Sequence, residues 1–445
     1  MNEFYMILMV VVFIIGYAFI ALEHTIKINK SATALLLAVA MWTIYVAFGG
    51  FDAQAGHGVL IEHLGDTAET LFFLLGAMTI VETVDKHGGF SIITDRITTK
   101  SKKELLWIIA ILTFFMSAVL DNLTTSIVMI ALLRKLVADQ KDRWFFAGVV
   151  ILAANAGGAW SPIGDVTTIM LWIKGNISAL GVIKETLLAS IVCMVVPVLG
   201  ISFMLKGEVS AKTSLVEKQQ TDVSKKQSVL VLCIGVGFLL FTPIFKTLTH
   251  LPPYMGILLG LGVLWVTTEI MHQRHPETYK RLSIASIITK VDTPSILFFL
   301  GILMAVACLS EAGHLKLLAN GLDKMGNFYL TDLIIGALSS IVDNVPLVAA
   351  AMGMYDIPTA AQITTDPTLV NFIEDGAFWE FLAYCAGTGG SLLIIGSAAG
   401  VAVMGMEKID FIWYLKHISI WALLGYLAGA GVYILMSMFI LHTIV

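Results

Sequence analysis

Long apolar stretches separated by short polar segments run along the whole chain. A membrane-crossing helix needs about 20 mainly apolar residues. Eight uninterrupted runs have this character, and they lie near residues 4–22, 32–50, 71–87, 179–205, 228–245, 254–272, 294–312 and 417–440. The pattern therefore predicts an all-α polytopic membrane protein.

Four further apolar regions are interrupted by polar, glycine and proline residues. They are residues 104–133, 144–172, 331–353 and 376–405. Unwound backbone at membrane depth is tolerated only where protein or a water-filled cavity covers it. We therefore expect 104–133 and 331–353 to be re-entrant hairpins, and 144–172 and 376–405 to be broken helices.

The composition fits a bilayer better than water. Of the 445 residues, 58% are hydrophobic and 13% are charged, whereas soluble domains are roughly a quarter charged. A net charge of −5 argues against a nucleic-acid partner. Residues 4–22 lack a basic leading segment and a small-residue cleavage site, so we interpret them as a first membrane helix. The absence of an Arg- and Ser-rich transit peptide favours a bacterial inner membrane.

The distribution of Lys and Arg predicts the orientation. Five basic residues lie in 86–103, five in 206–226 and four in 273–290, whereas 51–70 and 354–375 have none and are interpreted as outer loops. Basic loops face the cytoplasm, which places both termini in the periplasm. The hairpin 104–133 then enters from the inside, and 331–353 enters from the outside.

Three motifs recur in the same order in the two halves. Asp66-Thr67 with the run 71–74 recurs as Asp292-Thr293 with 297–300, Asp121-Asn122 recurs as Asp343-Asn344, and Gly157-Gly158 with Gly164 recurs as Gly389-Gly390 with Gly396. We predict two repeats, 1–215 and 216–445, each with five crossings and one hairpin. An odd number of crossings inverts the second copy, and inverted repeats with broken helices are typical of secondary transporters.

Ionisable residues inside a membrane are costly and are functional candidates for that reason. Asp121 and Asp343 lie at mid-hairpin, and Asp165 lies in the first broken helix, where the second copy has Ser397. Carboxylate, amide and hydroxyl oxygens suit a hard cation such as Na⁺, and these motifs contain no Lys or Arg. Because burial favours the neutral form of a carboxyl group, Na⁺ and H⁺ would compete for the same oxygens.

Structural roles remain open for several of these residues. An Asp-Asn pair can cap a helix, and Thr167 and Thr168 can hydrogen-bond to their own helix. Glu82 and Glu407 lie at the ends of apolar stretches, and we interpret both first as solvated interface residues. For Glu82, proton entry is the alternative.

At these residues the chain resembles NhaD-type sodium/proton antiporters. These belong to the ion transporter superfamily, together with arsenite permeases and dicarboxylate transporters. The resemblance covers nearly the whole chain and rests on residues 72–82 (FFLLGAMTIVE), 121–125 (DNLTT), 161–168 (SPIGDVTT) and 343–346 (DNVP). Dicarboxylate members carry Ser-Asn-Thr at the hairpin tips instead of Asp-Asn.

The resemblance implies a homodimer with an elevator motion that exchanges Na⁺ or Li⁺ for H⁺, favoured at alkaline pH. It implies a scaffold domain and a transport domain that interleave both repeats. By matching motifs, the ion site would contain Asp121, Asn122, Thr124, Thr125, Asn155, Asp165, Thr167, Thr168, Asp343 and Asn344. One departure is that Val345-Pro346 stands where the first hairpin has Leu123-Thr124, which puts a second ion site in doubt.

Other functions of the superfamily compete with antiport. The chain could carry arsenite or another small oxyanion, or it could couple Na⁺ to a carboxylate. An enzyme is disfavoured because the sequence has no HExxH motif, no Gly-x-Ser-x-Gly motif and no nucleotide-binding loop. The expected partners are therefore sodium, lithium, protons and membrane lipid, with no cofactor.

Overall fold

The structure is a computed structural model that describes residues 3–48, 53–94, 97, 99–205, 207–209, 223–273, 280–323, 326–341 and 343–441. Helices make up nearly all of this described part of the chain, which contains no β-strand. The predicted boundary between the repeats, at residues 215 and 216, lies outside the described residues.

The first half contains ten described helices. They are α1 (Glu3–Ala21), α2 (Glu23–Ile26), α3 (Lys30–Phe48), α4 (Ala53–Lys86), α5 (Ser91–Thr94), α6 (Lys102–Leu120), α7 (Asn122–Leu136), α8 (Gln140–Ala159), α9 (Val166–Lys174) and α10 (Ala179–Met204).

The second half contains twelve described helices. They are α11 (Lys225–Thr249), α12 (Pro253–His272), α13 (Ile284–Ile288), α14 (Thr293–Glu311), α15 (His314–Asp323), α16 (Phe328–Leu338), α17 (Asn344–Met354), α18 (Ala360–Thr365), α19 (Ala377–Gly389), α20 (Ala398–Glu407), α21 (Phe411–His417) and α22 (Ser419–Met436). A 3-10 helix covers Pro367–Phe372, and a π-helical turn covers Ser437–Leu441.

Eight described helices are long and apolar enough to cross a membrane. They are α3, α4, α6, α10, α11, α12, α14 and α22 with its adjoining turn. Seven of them match predicted apolar runs, and α1 covers the remaining run at 4–22. The eighth, α6, is the first arm of the predicted hairpin 104–133. The expectation of an all-helical multi-span membrane protein is confirmed.

The helices are interrupted in all four regions that carry polar, glycine and proline residues. A break at Asp121 separates α6 from α7, and residues 160–165 separate α8 from α9. In the second half, α16 ends at Leu338 and α17 begins at Asn344, and residues 390–397 separate α19 from α20. The two predicted hairpins differ in size, because the arms have 19 and 15 residues in the first and 11 each in the second.

One prediction about a loop is wrong. Residues 51–70 were expected to form an outer loop, but α4 runs unbroken from Ala53 to Lys86. A 34-residue helix is about 51 Å long, well beyond the ~30 Å hydrocarbon core. Its polar first half is held by tertiary contacts, since Asp66 pairs with Lys174 of α9 and His63 contacts Glu311 of α14 at 2.9 Å.

Matching glycines allow matching close contacts in the two halves. A Cβ on Gly157 of α8 would collide with the backbone carbonyl of Phe114 in α6. A Cβ on Gly389 of α19 would collide with the carbonyl of Gly336 in α16. Each broken helix therefore lies directly against the first arm of the hairpin in its own half, with no side chain between the backbones.

Buried apolar side chains form two clusters. The smaller one joins α1, α3 and α14, with Met9, Leu37 and Phe298 among its members. The larger one joins α6, α8, α10, α19 and α22 with further helices. The hairpin tip that carries Asp343 contacts the smaller cluster through Val345, whereas Ala156 and Ile163 of the first broken helix belong to the larger one. The first broken helix, which also contributes Met170 to the smaller cluster, thus lies where the two clusters adjoin.

Candidate functional site

Four helix N-termini begin at the interruptions, and each has a polar N-cap. The Asp121 carboxylate accepts a hydrogen bond from Thr124 N at 2.7 Å, and Asp165 accepts one from Thr167 N at 2.9 Å. Asp343 accepts from Val345 N at 3.3 Å, and Ser397 accepts from Gly400 N at 3.1 Å. The helix-capping role that the sequence suggested for the Asp-Asn pairs is therefore present in the structure. Because helix N-termini carry partial positive charge, they also stabilise the ionised form of the three capping aspartates.

Asp165 is the acceptor shared by both hairpin tips. Its side chain is 1% exposed. It accepts hydrogen bonds from Asn122 Nδ2 of the first tip and from Asn344 Nδ2 of the second tip, the latter at 3.4 Å. Asp121 and Asp343 both lie within electrostatic reach of Asp165. The structure therefore brings together five of the residues predicted for the ion site.

Asn155 links the first hairpin tip to the second broken helix. Its Oδ1 accepts from Asn122 Nδ2 at 3.1 Å, and its Nδ2 donates to Ser391 Oγ at 2.9 Å and to Ser397 Oγ at 3.0 Å. Sequence reasoning did not select Ser391. The signal was present, because Ser391 directly follows the glycine-rich segment 387–390 (GTGG) of the second broken helix.

The four predicted threonines have different environments. The Thr124 hydroxyl donates to Asp121 Oδ2 at 2.9 Å, and the Thr167 hydroxyl donates to Asp165 Oδ1 at 2.7 Å. Thr168 donates to the backbone carbonyl of Asp165 at 2.8 Å, which is the local bond considered from sequence. The Thr125 hydroxyl is buried and makes no hydrogen bond among the described residues.

Asp343 has a partner that the sequence motifs did not reveal. Lys30, the first residue of α3, places its Nζ 2.9 Å from Asp343 Oδ2 and 4.2 Å from the centre of the Phe298 ring. The motifs themselves contain no basic residue, as noted above, but the fold brings one into the site. The absence of Lys and Arg from the motifs therefore did not exclude a basic residue from the site, because Lys30 is distant from Asp343 in sequence but adjacent to it in the fold.

The site is an open arrangement of oxygens. Within the described residues, no group of three or more His, Cys, Asp or Glu is positioned to hold a metal ion together. The polar groups that the structure brings together here are carboxylate, amide and hydroxyl groups. That mixture suits a hard, weakly held monovalent cation.

The two glutamates interpreted as solvated interface residues differ in their exposure to solvent. Glu82 pairs with Lys86 at 3.0 Å, and both side chains are partly exposed, as expected. Glu407 is instead only 3% exposed and accepts from Arg134 Nε at 2.7 Å and Arg143 Nε at 2.9 Å. The interpretation of Glu407 as a solvated interface residue is wrong. Helices α7 and α8 pack against the end of α20 and cover the carboxylate.

A cavity of about 400 Å³ lies beside two of the capped helices. It is lined by Met170 and Lys174 of α9 and by Ala349 and Met352 of α17, opposite residues of α4 and α14. Asp165 and Asp343 cap the other ends of α9 and α17. The cavity and the polar site thus lie towards opposite ends of the same two helices.

A helical protein that can cross the membrane many times and whose helices break around buried carboxylates has the architecture of a membrane transporter. The profile of the citrate transporter family, CitMHS, matches residues 10–373. "Sodium/proton antiporter 1" of Arabidopsis thaliana is 48% identical over 96% of this chain and 72% of its own length. "Na(+)/H(+) antiporter NhaD" of Vibrio cholerae is 30% identical over 96% of this chain and 91% of its own length.

The chain therefore belongs to the ion transporter superfamily, on the branch of the NhaD-type sodium/proton antiporters. The resemblance inferred from the motifs is confirmed. Among solved structures, the YdaH transporter of Alcanivorax borkumensis superposes with a TM-score of 0.58 at 12% identity, covering 93% of this chain and 99% of that chain. At that identity the match supports the fold alone.

Proposed function

We propose that this chain is a secondary Na⁺(Li⁺)/H⁺ antiporter in which cation and proton compete for Asp121, Asp165 and Asp343. The observation that carries the proposal is Asp165, one buried carboxylate that accepts hydrogen bonds from both hairpin tips. The named sodium/proton antiporters that resemble the chain over 96% of its length support the choice of substrate.

The charges at the site support exchange. Burial favours neutral carboxyl groups, whereas the helix N-termini and the amide donors favour ionised ones. A carboxylate balanced between these effects gives up its proton when a cation arrives. The site contains three aspartates, of which Asp343 alone pairs with a lysine, so two carboxylates remain to balance the charge of a monovalent cation.

Alternating access would follow from an elevator motion. In this proposal a transport domain, containing both hairpins and both broken helices, moves against a scaffold that includes α1, α3 and α14 and forms the homodimer. The division of the apolar core into two clusters next to the site supports this arrangement. The 400 Å³ cavity would be the entrance from the periplasm. The protein would lie in a bacterial inner membrane, with both termini periplasmic and lipid around its apolar helices.

Carboxylate transport is the second candidate. The match to the citrate transporter family and the presence of Lys30 favour it. Against it, three of the four helix N-termini that could hold an anion already hold an aspartate of the chain itself. Lys30 is also neutralised by Asp343. With three helix N-termini and the lysine already occupied, the remaining ligand groups of the site suit a cation better than a multiply charged anion.

Everted membrane vesicles test the proposal directly. After respiration acidifies their interior, addition of Na⁺ or Li⁺ should restore the fluorescence of a pH-sensitive dye if the chain exchanges cation for proton. Asp165→Asn should abolish this response, while Asp366→Asn, at an exposed position away from the cavity, should leave it intact. Absence of a response in the wild-type protein, together with uptake of labelled citrate, would replace antiport by carboxylate transport.

A further inference from the structure

The Lys30–Asp343 ion pair distinguishes Asp343 from the other two site carboxylates, Asp121 and Asp165. Among the ion pairs formed by described residues, Asp343 alone of the three has a basic partner. Its Oδ2 lies 2.9 Å from Lys30 Nζ and its Oδ1 accepts from Val345 N. Each oxygen of Asp343 therefore already has a partner, and a cation that approaches this carboxylate meets the positive charge of the Lys30 ammonium.

Lys30 is fixed in position by its own surroundings. Its backbone N donates to Glu23 Oε1 at 3.1 Å, and its ammonium lies over the Phe298 ring. This cation–π contact adds to the attraction of the ion pair. The contact with α2 thus fixes the backbone of Lys30, and the Phe298 ring of α14 holds the ammonium beside Asp343 in addition to the charge.

Lys30 also has other acidic groups within reach. Besides Asp343, the charges acting on it are those of Glu23 on α2 and Asp292, the N-cap of α14. The Tyr17 hydroxyl of α1 lies close enough to Asp343 to interact with it electrostatically. When a cation takes Asp343, the ammonium can therefore move towards carboxylates that already attract it, without becoming an isolated buried charge.

We propose that Lys30 is a tethered cation that competes with Na⁺ for Asp343 and thereby sets the apparent affinity of the site. The inference rests on the proposed function, since it concerns the cation that the antiporter would carry. Lys30 has the charge of one sodium ion and contacts an oxygen of a carboxylate that, under the proposed function, also binds the substrate. Because it is covalently attached, its competition does not depend on external ion concentration.

The proposal predicts the direction of the effect of neutral variants. A site that is accessible only a tenth of the time binds its ligand about tenfold more weakly. Removing the competitor in Lys30→Gln or Lys30→Met should therefore lower the apparent KM for Na⁺ and Li⁺, by up to about tenfold if the pair is formed nine-tenths of the time. Lys30→Met retains an apolar stem for the contact with Phe298. Lys30→Arg keeps the charge and should leave the KM unchanged or raised.

The test uses the full chain at one fixed pH. The KM for Na⁺ is measured by dye response in everted vesicles. The melting temperature of detergent-purified protein is measured against NaCl, with choline chloride as the ionic-strength control, because a ligand that binds only the folded state stabilises it. Lys27→Gln is the matched control, since Lys27 is exposed three residues before Lys30. The control should behave as wild type in both measurements.

Several outcomes would overturn the proposal. An unchanged or raised KM in both neutral variants would show that Lys30 does not compete with the cation. Failure of both neutral variants to fold, with rescue by Lys30→Arg, would make Lys30 a structural residue. If wild-type protein shows neither Na⁺-dependent exchange nor Na⁺-dependent stabilisation, then the proposed antiport function itself fails. Exchange in the wild type with no change in Lys30→Gln would reject the role of Lys30 alone.

Discussion

At the scale of single residues, the two hairpin aspartates differ in backbone conformation. Asp121 has φ 77° and ψ 160°, whereas Asp343 has φ −49° and ψ 134°. A non-glycine residue in the first region costs about 1–3 kcal/mol, and such residues cluster at functional sites. Thr124 stabilises this conformation through two bonds to Asp121, whereas the equivalent residue in the second half, Pro346, has no hydroxyl or N–H to donate.

Substitutions at Asp121 distinguish its effect on stability, through backbone strain, from its role in ion exchange. Asp121→Gly removes a cap worth about 1 kcal/mol and relieves strain of about 1–3 kcal/mol, so the melting temperature should stay near or above that of wild type. Na⁺-dependent exchange in everted vesicles should nevertheless be lost. Asp121→Asn should keep the cap and also lose exchange.

Asp343→Gly is the matched comparison for that prediction. Its backbone is unstrained, so the variant loses the cap and the Lys30 pair with no compensating relief, and its melting temperature should fall. Retained exchange in Asp121→Gly, or a loss of stability equal to that of Asp343→Gly, would contradict the assignment.

His87 makes the stability of the fold sensitive to acid. It lies just beyond the membrane span of α4, is fully buried, and places Nε2 3.0 Å from His272 Nε2. Burial lowers the pKa of His87 to about 4 from its ordinary 6.5, and His272 acts in the same direction. The folded state thus holds His87 neutral, so stability is complete above about pH 6.5 and decreases as the pH falls from there towards 4.

We therefore expect the melting temperature to fall between pH 7 and pH 5, and to fall less in His87→Gln. A Gln side chain still offers a donor for the Thr83 carbonyl, which His87 Nδ1 contacts at 2.7 Å. His57→Gln, at an exposed position, should retain the wild-type pH dependence. An identical acid sensitivity in His87→Gln would assign the loss of stability to other groups.

At the scale of elements, Glu407 joins three helices that are far apart in sequence. Its carboxylate at the end of α20 accepts from Arg134 at the end of α7 and from Arg143 at the start of α8. Its backbone carbonyl accepts from Trp144 Nε1 at 3.1 Å. The first hairpin and the second broken helix are therefore fastened together at this end.

Removing the charge of Glu407 should loosen this junction. Glu407→Gln leaves two arginines without their shared partner, which should cost roughly 2–3 kcal/mol, less than for a fully buried pair because Arg134 is half exposed. The expected result is a lower melting temperature of the purified protein. Glu82→Gln, at an exposed pair, should cost less than about 0.5 kcal/mol. Equal effects of the two variants would refute the distinction between them.

At the scale of the whole molecule, the matching glycine contacts and the matching caps relate the two halves. Both broken helices touch the first arm of their own hairpin through a glycine, and both restart at a polar cap, Asp165 or Ser397. These similarities support the internal repeat read from the sequence. The inversion of one copy relative to the other stays a prediction from the distribution of basic residues.

Labelling of single cysteines tests that inversion. Lys141 and Thr365 are exposed and lie in segments predicted to face the cytoplasm and the periplasm. A membrane-impermeant maleimide should label Thr365→Cys in intact cells and Lys141→Cys only in everted vesicles. Three of the four native cysteines are buried, and Cys233→Ser removes the exposed one. Labelling of both positions from the same side would contradict the predicted topology.

The sequence by itself determined the class of the protein and pointed to most of the buried polar residues that the fold brings together. Apolar run lengths and helix interruptions follow from local chemistry, because a bilayer demands about 20 apolar residues per crossing and penalises every uncovered polar group. For the same reason Asp121, Asp165 and Asp343 could be selected without a structure. The length of helix α4 is an exception that the sequence did not predict. Polar residues in its first half, such as Asp66, are stabilised by partners that are distant in sequence.

Only the tertiary structure decided which residues meet. Lys30 lies 313 positions before Asp343, Ser391 lies 236 after Asn155, and Glu407 lies 264 after Arg143. No local pattern specifies such pairs, because they depend on how helices from both halves are placed against each other. The sequence therefore identified the buried carboxylates that we propose as cation ligands, and the fold determined that one of them, Asp343, pairs with Lys30.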